Sequence, residues 1–117
     1  MKENAIRVKS FEFALRIVKL SKHLMEEKRE FVISKQLIRC GTAIGALVRE
    51  AEQAESKKDF IHKLSISLKE ANETEYWLEL LHMSDYLSEK EFNSISPDLK
   101  QLLRLLTAII KTSKVKS

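Results

Sequence analysis

Two glycines and one proline in a chain of 117 residues leave almost nothing to punctuate it with. A β-sandwich of this length needs many tight turns, and an α/β fold needs a loop after every element, so both are starved of turn residues here. The apolar share of 44% is too high for a disordered chain, and the length suits one domain with a single core. Abundant Leu, Lys, Glu and Ala favour long helices joined by few connections. The expected fold is all-α: an antiparallel up-down-up-down four-helix bundle.

Hydrophobic periodicity places four helices at about 8–28, 34–55, 57–86 and 97–112, followed by a basic, frayed tail. In the first, Lys9, Glu12, Arg16, Lys19, His23 and Glu26 form one polar strip. Two apolar stripes share the rest, Phe11/Ala14/Val18/Met25 and Phe13/Ile17/Leu20/Leu24. That arc is about twice the ~100° a helix needs to dock on one layer. Either the helix is deeply buried or its second stripe, Phe13, Ile17, Leu20 and Leu24, meets another subunit, with Trp77 of the third helix a further interface candidate. Ser34 is the expected N-cap of the second helix, and Ser56-Lys57-Lys58-Asp59 a capping box opening the third. Ser88-Glu89-Lys90-Glu91 can cap a short turn, while Ser96-Pro97 reads as the start of the fourth helix. Gly41 and Gly45 fall inside the second helix, where each costs about 1 kcal/mol relative to Ala, and close approach of a neighbouring helix is the expected compensation.

The net charge is +4 and unevenly spread. Residues 1–33 and 88–117 each carry an excess of three positive charges, and residues 56–87 carry two more acids than bases. This permits binding to nucleic acid or an acidic partner without requiring it. The single cysteine, Cys40, cannot form an intrachain disulfide, which fits a reducing compartment. Charges interrupt the first apolar stretch, so it does not read as a signal peptide, and no run reaches the ~18 apolar residues of a membrane span. A cytoplasmic location is expected, without membrane association.

The segment Leu37-Ile38-Arg39-Cys40-Gly41-Thr42-Ala43-Ile44-Gly45-Ala46, then Arg49-Glu50-Ala51, Ser56-Lys57-Lys58-Asp59-Phe60 and Lys69-Glu70-Ala71-Asn72-Glu73-Thr74-Glu75-Tyr76-Trp77-Leu78, is less generic. In order and spacing it resembles the four helix bundle protein family, also called the 23S ribosomal RNA intervening-sequence protein family. The resemblance spans nearly the whole chain and is most specific from Leu37 to Leu81. It implies compact bundles that assemble into rings, typically homopentamers. Some members are encoded within insertions in ribosomal RNA genes. A related branch, the accessory variability protein of diversity-generating retroelements, binds nucleic acid and a reverse transcriptase. This chain has Leu47 where that family usually has Asn, and Ala43 where it often has Ser.

No catalytic signature accompanies the pattern. Glu79-Leu80-Leu81-His82 matches the Glu-x-x-His of di-iron bundles, but such sites need two copies, and Asp59-Phe60-Ile61-His62 lies far along the same helix. Glu75 projects close to the core stripe, as a perturbed acid or, more simply, as the ion-pair partner of Arg39 or Arg49. Cys40 reads as a small buried apolar residue. Neither a metal nor a cofactor is expected. The basic candidates for nucleic acid are Lys9, Arg16, Lys19, Lys111, Lys114 and Lys116. The expected function is a non-enzymatic, homo-oligomeric accessory protein binding RNA or DNA without sequence readout. The alternative is a scaffolding oligomer with no nucleic-acid role.

Overall fold

The computed structural model describes residues 2–116, with side chains from Ala5 onward. Four helices, α1 (Lys2–Glu26), α2 (Val32–Glu52), α3 (Lys57–Met83) and α4 (Glu89–Val115), account for nearly all of it. Each packs on its chain neighbours, and α4 closes back on α1. Short connections and this cyclic adjacency make an up-down-up-down bundle, 47 Å long and about 22 Å across.

The core runs the length of the bundle. Phe13, Ile17 and Leu24 from α1 meet Leu37, Ile44 and Val48 of α2, Leu64, Leu78 and Leu81 of α3, and Leu99, Leu102 and Leu106 of α4. The two helical glycines are explained by the α1–α2 contact. A Cβ on Gly41 would lie 2.9 Å from both γ carbons of Ile17, and one on Gly45 would lie 3.2 Å from the carbonyl oxygen of Ser10. Without side chains there, the backbones approach closely enough to seat Ile17 in the core. Ser67 of α3 satisfies its buried hydroxyl by donating to the carbonyl of Ile44 on α2, at 2.9 Å.

Helix ends depart from the sequence expectation for identifiable reasons. α1 stops at Glu26 because Arg29 takes a left-handed conformation (φ 57°), which lets the N–H of Glu30 donate to the carbonyl of Leu24. Asp85 (φ 68°) ends α3 in the same way, with Leu87 N–H donating to Leu81. Glycine would have signalled both ends, and neither position has one. Ser34 is not the N-cap of α2. The carboxylate of Glu30 reaches over the helix start and accepts from the N–H groups of Val32, Ile33 and Ser34 and from the Ser34 hydroxyl. The capping box at Ser88–Glu91 opens a full helix rather than a short turn. Pro97 therefore lies inside α4, and its ring nitrogen offers no donor to the carbonyl of Asn93 one turn earlier. α1 starts near Lys2 rather than Val8, because nothing breaks the helix before it and Ile6 extends the buried stripe.

Candidate nucleic-acid interface

Most interhelical charges are committed to one another. Arg7 pairs with Glu52 at 3.1 Å, Lys63 with Glu50 at 3.3 Å, and Arg39 of α2 with Glu70 and Glu73 of α3. His23 and His82 both reach the first turn of α4, to Glu91 at 3.6 Å and Glu89 at 2.9 Å, and the His82 ring stacks on Phe92. The capping bond from the Ser88 N–H is the main reason that the Glu91 carboxyl sits below its ordinary value.

One group of cations without such partners sits at one end of the bundle. α3 begins where α4 finishes, so Lys57 and Lys58 share an end with Lys111, Lys114 and Lys116. All five are exposed, and none makes an ion pair among the described residues. After Asp98 the chain carries Lys100, Arg104 and these three lysines with no acidic residue. Lysines in the last turns of α4 suit the negative end of its dipole. Lys57 and Lys58 do not have that excuse. They occupy the positive end of α3, where a cation costs about 0.3–1 kcal/mol. Of the acids at this end, Glu52 is taken by Arg7 and Asp59 accepts from the N–H of Glu55. Asp59 and the exposed Glu55 are then two carboxylates against five lysines, so the field stays positive.

Of the six basic residues expected from sequence, Lys111, Lys114 and Lys116 belong to this cluster. Arg16 does not. Its guanidinium is held by Asp98 (2.6 Å), the Ser94 carbonyl (3.0 Å) and the Ser94 hydroxyl (2.7 Å), so it ties α1 to α4. Lys9 is half-buried, two residues along α1 from Arg7, and Lys19 is exposed further along the same strip. Lys57 and Lys58 were hidden by their role in a capping-box pattern. The signal that could have found them is the wrong sign of charge at a helix N-terminus.

The expected oligomer surface is also redrawn. Phe13, Ile17 and Leu24 are 0–1% exposed within the single chain, so they are core and not free to meet a partner. Leu20 and Trp77 are partly buried against the same core, and the Trp77 indole N–H donates to Glu73 at 2.9 Å. The outward stripe of α1 shares Phe11 and Val18 with the other expected stripe, but Val8 and Leu15 take the places of Ala14 and Met25. Val8, Phe11, Leu15 and Val18 are 44–52% exposed at the three-four spacing of a coiled-coil seam. Beside them lies a shallow groove of about 240 Å³, floored by Ala14, Gly45 and Ala46, with Arg49 over the Phe11 ring at 5.1 Å.

The remaining candidates resolve quietly. Arg39 is taken by Glu70 and Glu73, so neither it nor Arg49 pairs with Glu75, which instead lines an α3–α4 cleft. No group of three or more His, Cys, Asp or Glu among the described residues is arranged to hold a metal. Burial raises the Cys40 thiol above its usual value, and its sulfur donates to the Leu37 carbonyl, consistent with a buried residue rather than a nucleophile. Among the described residues no helix is long and apolar enough to cross a membrane.

Comparison with known proteins adds a family and a fold. The family described as 23S rRNA-intervening sequence protein matches residues 2–108. No curated protein matches the chain. A crystal structure of a protein of unknown function from the S23 ribosomal protein family of Bacteroides thetaiotaomicron is 57% identical, with a TM-score of 0.93. The match covers 95% of this chain and 99% of that one.

Proposed function

The chain belongs to the 23S rRNA-intervening sequence protein family, and from that premise we propose that it is a non-enzymatic, self-assembling accessory protein that binds nucleic acid through phosphate contacts. The observation that carries this reading is the lysine-bearing end of the bundle, where Lys57 and Lys58 stand at the unfavourable end of a helix dipole beside Lys111, Lys114 and Lys116. Placing cations where they weaken the fold is reasonable when a polyanion supplies the missing countercharge. No aromatic side chain stands in sequence beside these lysines except Phe60, which packs against the core, so the contact is to backbone phosphates rather than bases. The family name makes structured ribosomal RNA the first ligand to try.

Self-assembly is supported by the exposed Val8/Phe11/Leu15/Val18 seam, which a single chain leaves in water. A ring of five, as the family resemblance suggests, would multiply the +4 of one chain to about +20 and present several lysine ends to one nucleic acid. The cytoplasm is the proposed location, and a reverse transcriptase is a partner to seek by pull-down.

The test is a mobility-shift titration with structured RNA and duplex DNA over a salt series. If the five lysines of one subunit engage duplex DNA, the logarithm of the binding constant falls against that of salt with a slope of about −4 to −5. Changing both Lys111 and Lys114 to Glu removes most of the binding. Absence of salt-sensitive binding even at low salt would rule the reading out and favour the scaffolding alternative, for which the α1 seam is the supporting observation. Light scattering tests assembly separately, and a strictly monomeric mass of 13.6 kDa at micromolar concentration contradicts it.

A further inference from the structure

On the side of the bundle formed by α3 and α4, a cleft of about 620 Å³ opens between Glu75, Leu78 and Glu79 on one wall and Phe92, Asn93, Ser96, Pro97, Leu99, Lys100 and Arg104 on the other. Its volume falls within the range of small-molecule sites. Elsewhere most charges that face another helix are paired. Here the side chains of Glu75, Glu79, Asn93, Ser96, Lys100 and Arg104 converge without a hydrogen bond or ion pair to any described residue. Glu75 and Glu79 are like charges one turn apart, and so are Lys100 and Arg104. Both spacings are unfavourable on a helix unless something else answers the charge.

The cleft is also polarised along its length. The contact of His82 with Glu89 and Phe92 fixes the antiparallel register of α3 and α4. It sets Glu79 and Glu75 level with Asn93 to Pro97, and leaves Lys100 and Arg104 further down the bundle. Pro97 cannot donate to the carbonyl of Asn93, which adds one more acceptor to the acidic end. At 1.5 Å per residue the centres of the acidic and basic ends lie about 9 Å apart along the axis. Leu78, Phe92 and Leu99 supply apolar surface between them.

We propose that this cleft binds a short peptide by both of its free termini. The ammonium group lies between Glu75, Glu79 and the Asn93 carbonyl, and the carboxylate is held by the Arg104 guanidinium with Lys100 beside it. An extended chain covers about 3.5 Å per residue, so three residues match the separation of the two ends and one residue falls short. This site is separate from the lysine end and does not depend on the nucleic-acid reading.

The test is an NMR titration of the ¹⁵N-labelled protein with tri-alanine, its N-acetyl form, its C-terminal amide, and free alanine. Tri-alanine is expected to shift the amides of Glu79, Asn93 and Arg104 in a saturable way. Blocking either terminus should weaken binding at least about tenfold, and alanine should bind far more weakly. Glu79→Gln should abolish the discrimination against the acetylated peptide, and Arg104→Met that against the amide. Both residues are exposed, so helicity by circular dichroism should be unchanged. The proposal is overturned if tri-alanine leaves these amides unmoved at millimolar concentration, or if blocked and free peptides bind alike.

Discussion

Gly41→Ala sets two effects of known size against each other. Alanine is the better helix former, and the exchange alone favours the folded state by about 0.8–1 kcal/mol. Against this stands the contact with α1, where the new Cβ would lie 2.9 Å from both Cγ1 and Cγ2 of Ile17, and 3.2 Å from Cδ1. The two γ carbons branch from one Cβ, so rotating χ1 exchanges one clash for the other, and Ile17 is fully buried with nowhere to retreat. Overpacking of this kind costs about 1–3 kcal/mol, so the net expectation is a loss of about 1 kcal/mol, or a few degrees in melting temperature. Urea denaturation followed at 222 nm, at one fixed protomer concentration, measures it. The double-mutant cycle identifies the cause. Ile17→Val keeps both γ carbons and should leave the penalty of Gly41→Ala in place. Ile17→Ala removes them, so that in its background the same glycine change should become neutral or stabilising, a coupling of about 1–2 kcal/mol. A stabilising Gly41→Ala in the wild-type background, or equal penalties in the Ile17→Val and Ile17→Ala backgrounds, would refute close approach as the reason for the glycine.

Glu30→Gln should destabilise the fold by about 1–2 kcal/mol, since an amide replaces the carboxylate that caps α2. Burial works to raise the Glu30 carboxyl, but the hydrogen bonds from Ile33, Ser34 and Val32 outweigh it and hold the group below its ordinary value. Its stabilising contribution is therefore complete above the unfolded-chain value near about 4.3 and fades as pH falls through the lower folded value. The difference between wild type and Glu30→Gln should then shrink below about pH 4 in urea titrations, and a constant difference down to about pH 2 contradicts the capping role. Ser21 is buried, with no hydrogen bond for its hydroxyl among the described residues, so Ser21→Ala should raise stability by about 0.5–1 kcal/mol, read as a higher melting temperature. Arg16→Met should cost up to about 1 kcal/mol by releasing α4 from α1, yet leave RNA affinity within about twofold in the mobility-shift assay, because its guanidinium is already engaged.

The helices were readable from sequence because their pattern is long and repeated, and their ends were not, because the devices that set them are unusual. A left-handed Arg29, a left-handed Asp85 and a carboxylate cap supplied from outside the helix by Glu30 replace the glycine and serine signals that sequence rules look for. Ser96-Pro97 imitates a helix start, while the true start eight residues earlier was masked by its brevity as a motif. The wide apolar arc of α1 was legible, but not its division. Both stripes are apolar throughout, and the one that turns inward is set by α2. Gly41 accepts Ile17, and with it Phe13 and Leu24 enter the core.

The basic surface shows the same limit from the electrostatic side. Sequence counts charges and cannot tell which are already neutralised. Arg16 and Lys111 look alike on a helical wheel, but the first is engaged by Asp98 and Ser94 and the second faces solvent with no acid after it in the chain. Pairing offsets the charge of Arg7, Arg16, Arg39 and Lys63 within the chain. Among the cations that survive this subtraction, Lys57 and Lys58 stand where the helix dipole is least favourable to them. An ion pair that holds the fold needs only one partner within the chain, whereas a site for a polyanion needs cations that the chain itself leaves unanswered. For this bundle the unanswered charges, rather than the net charge, mark the surface to test.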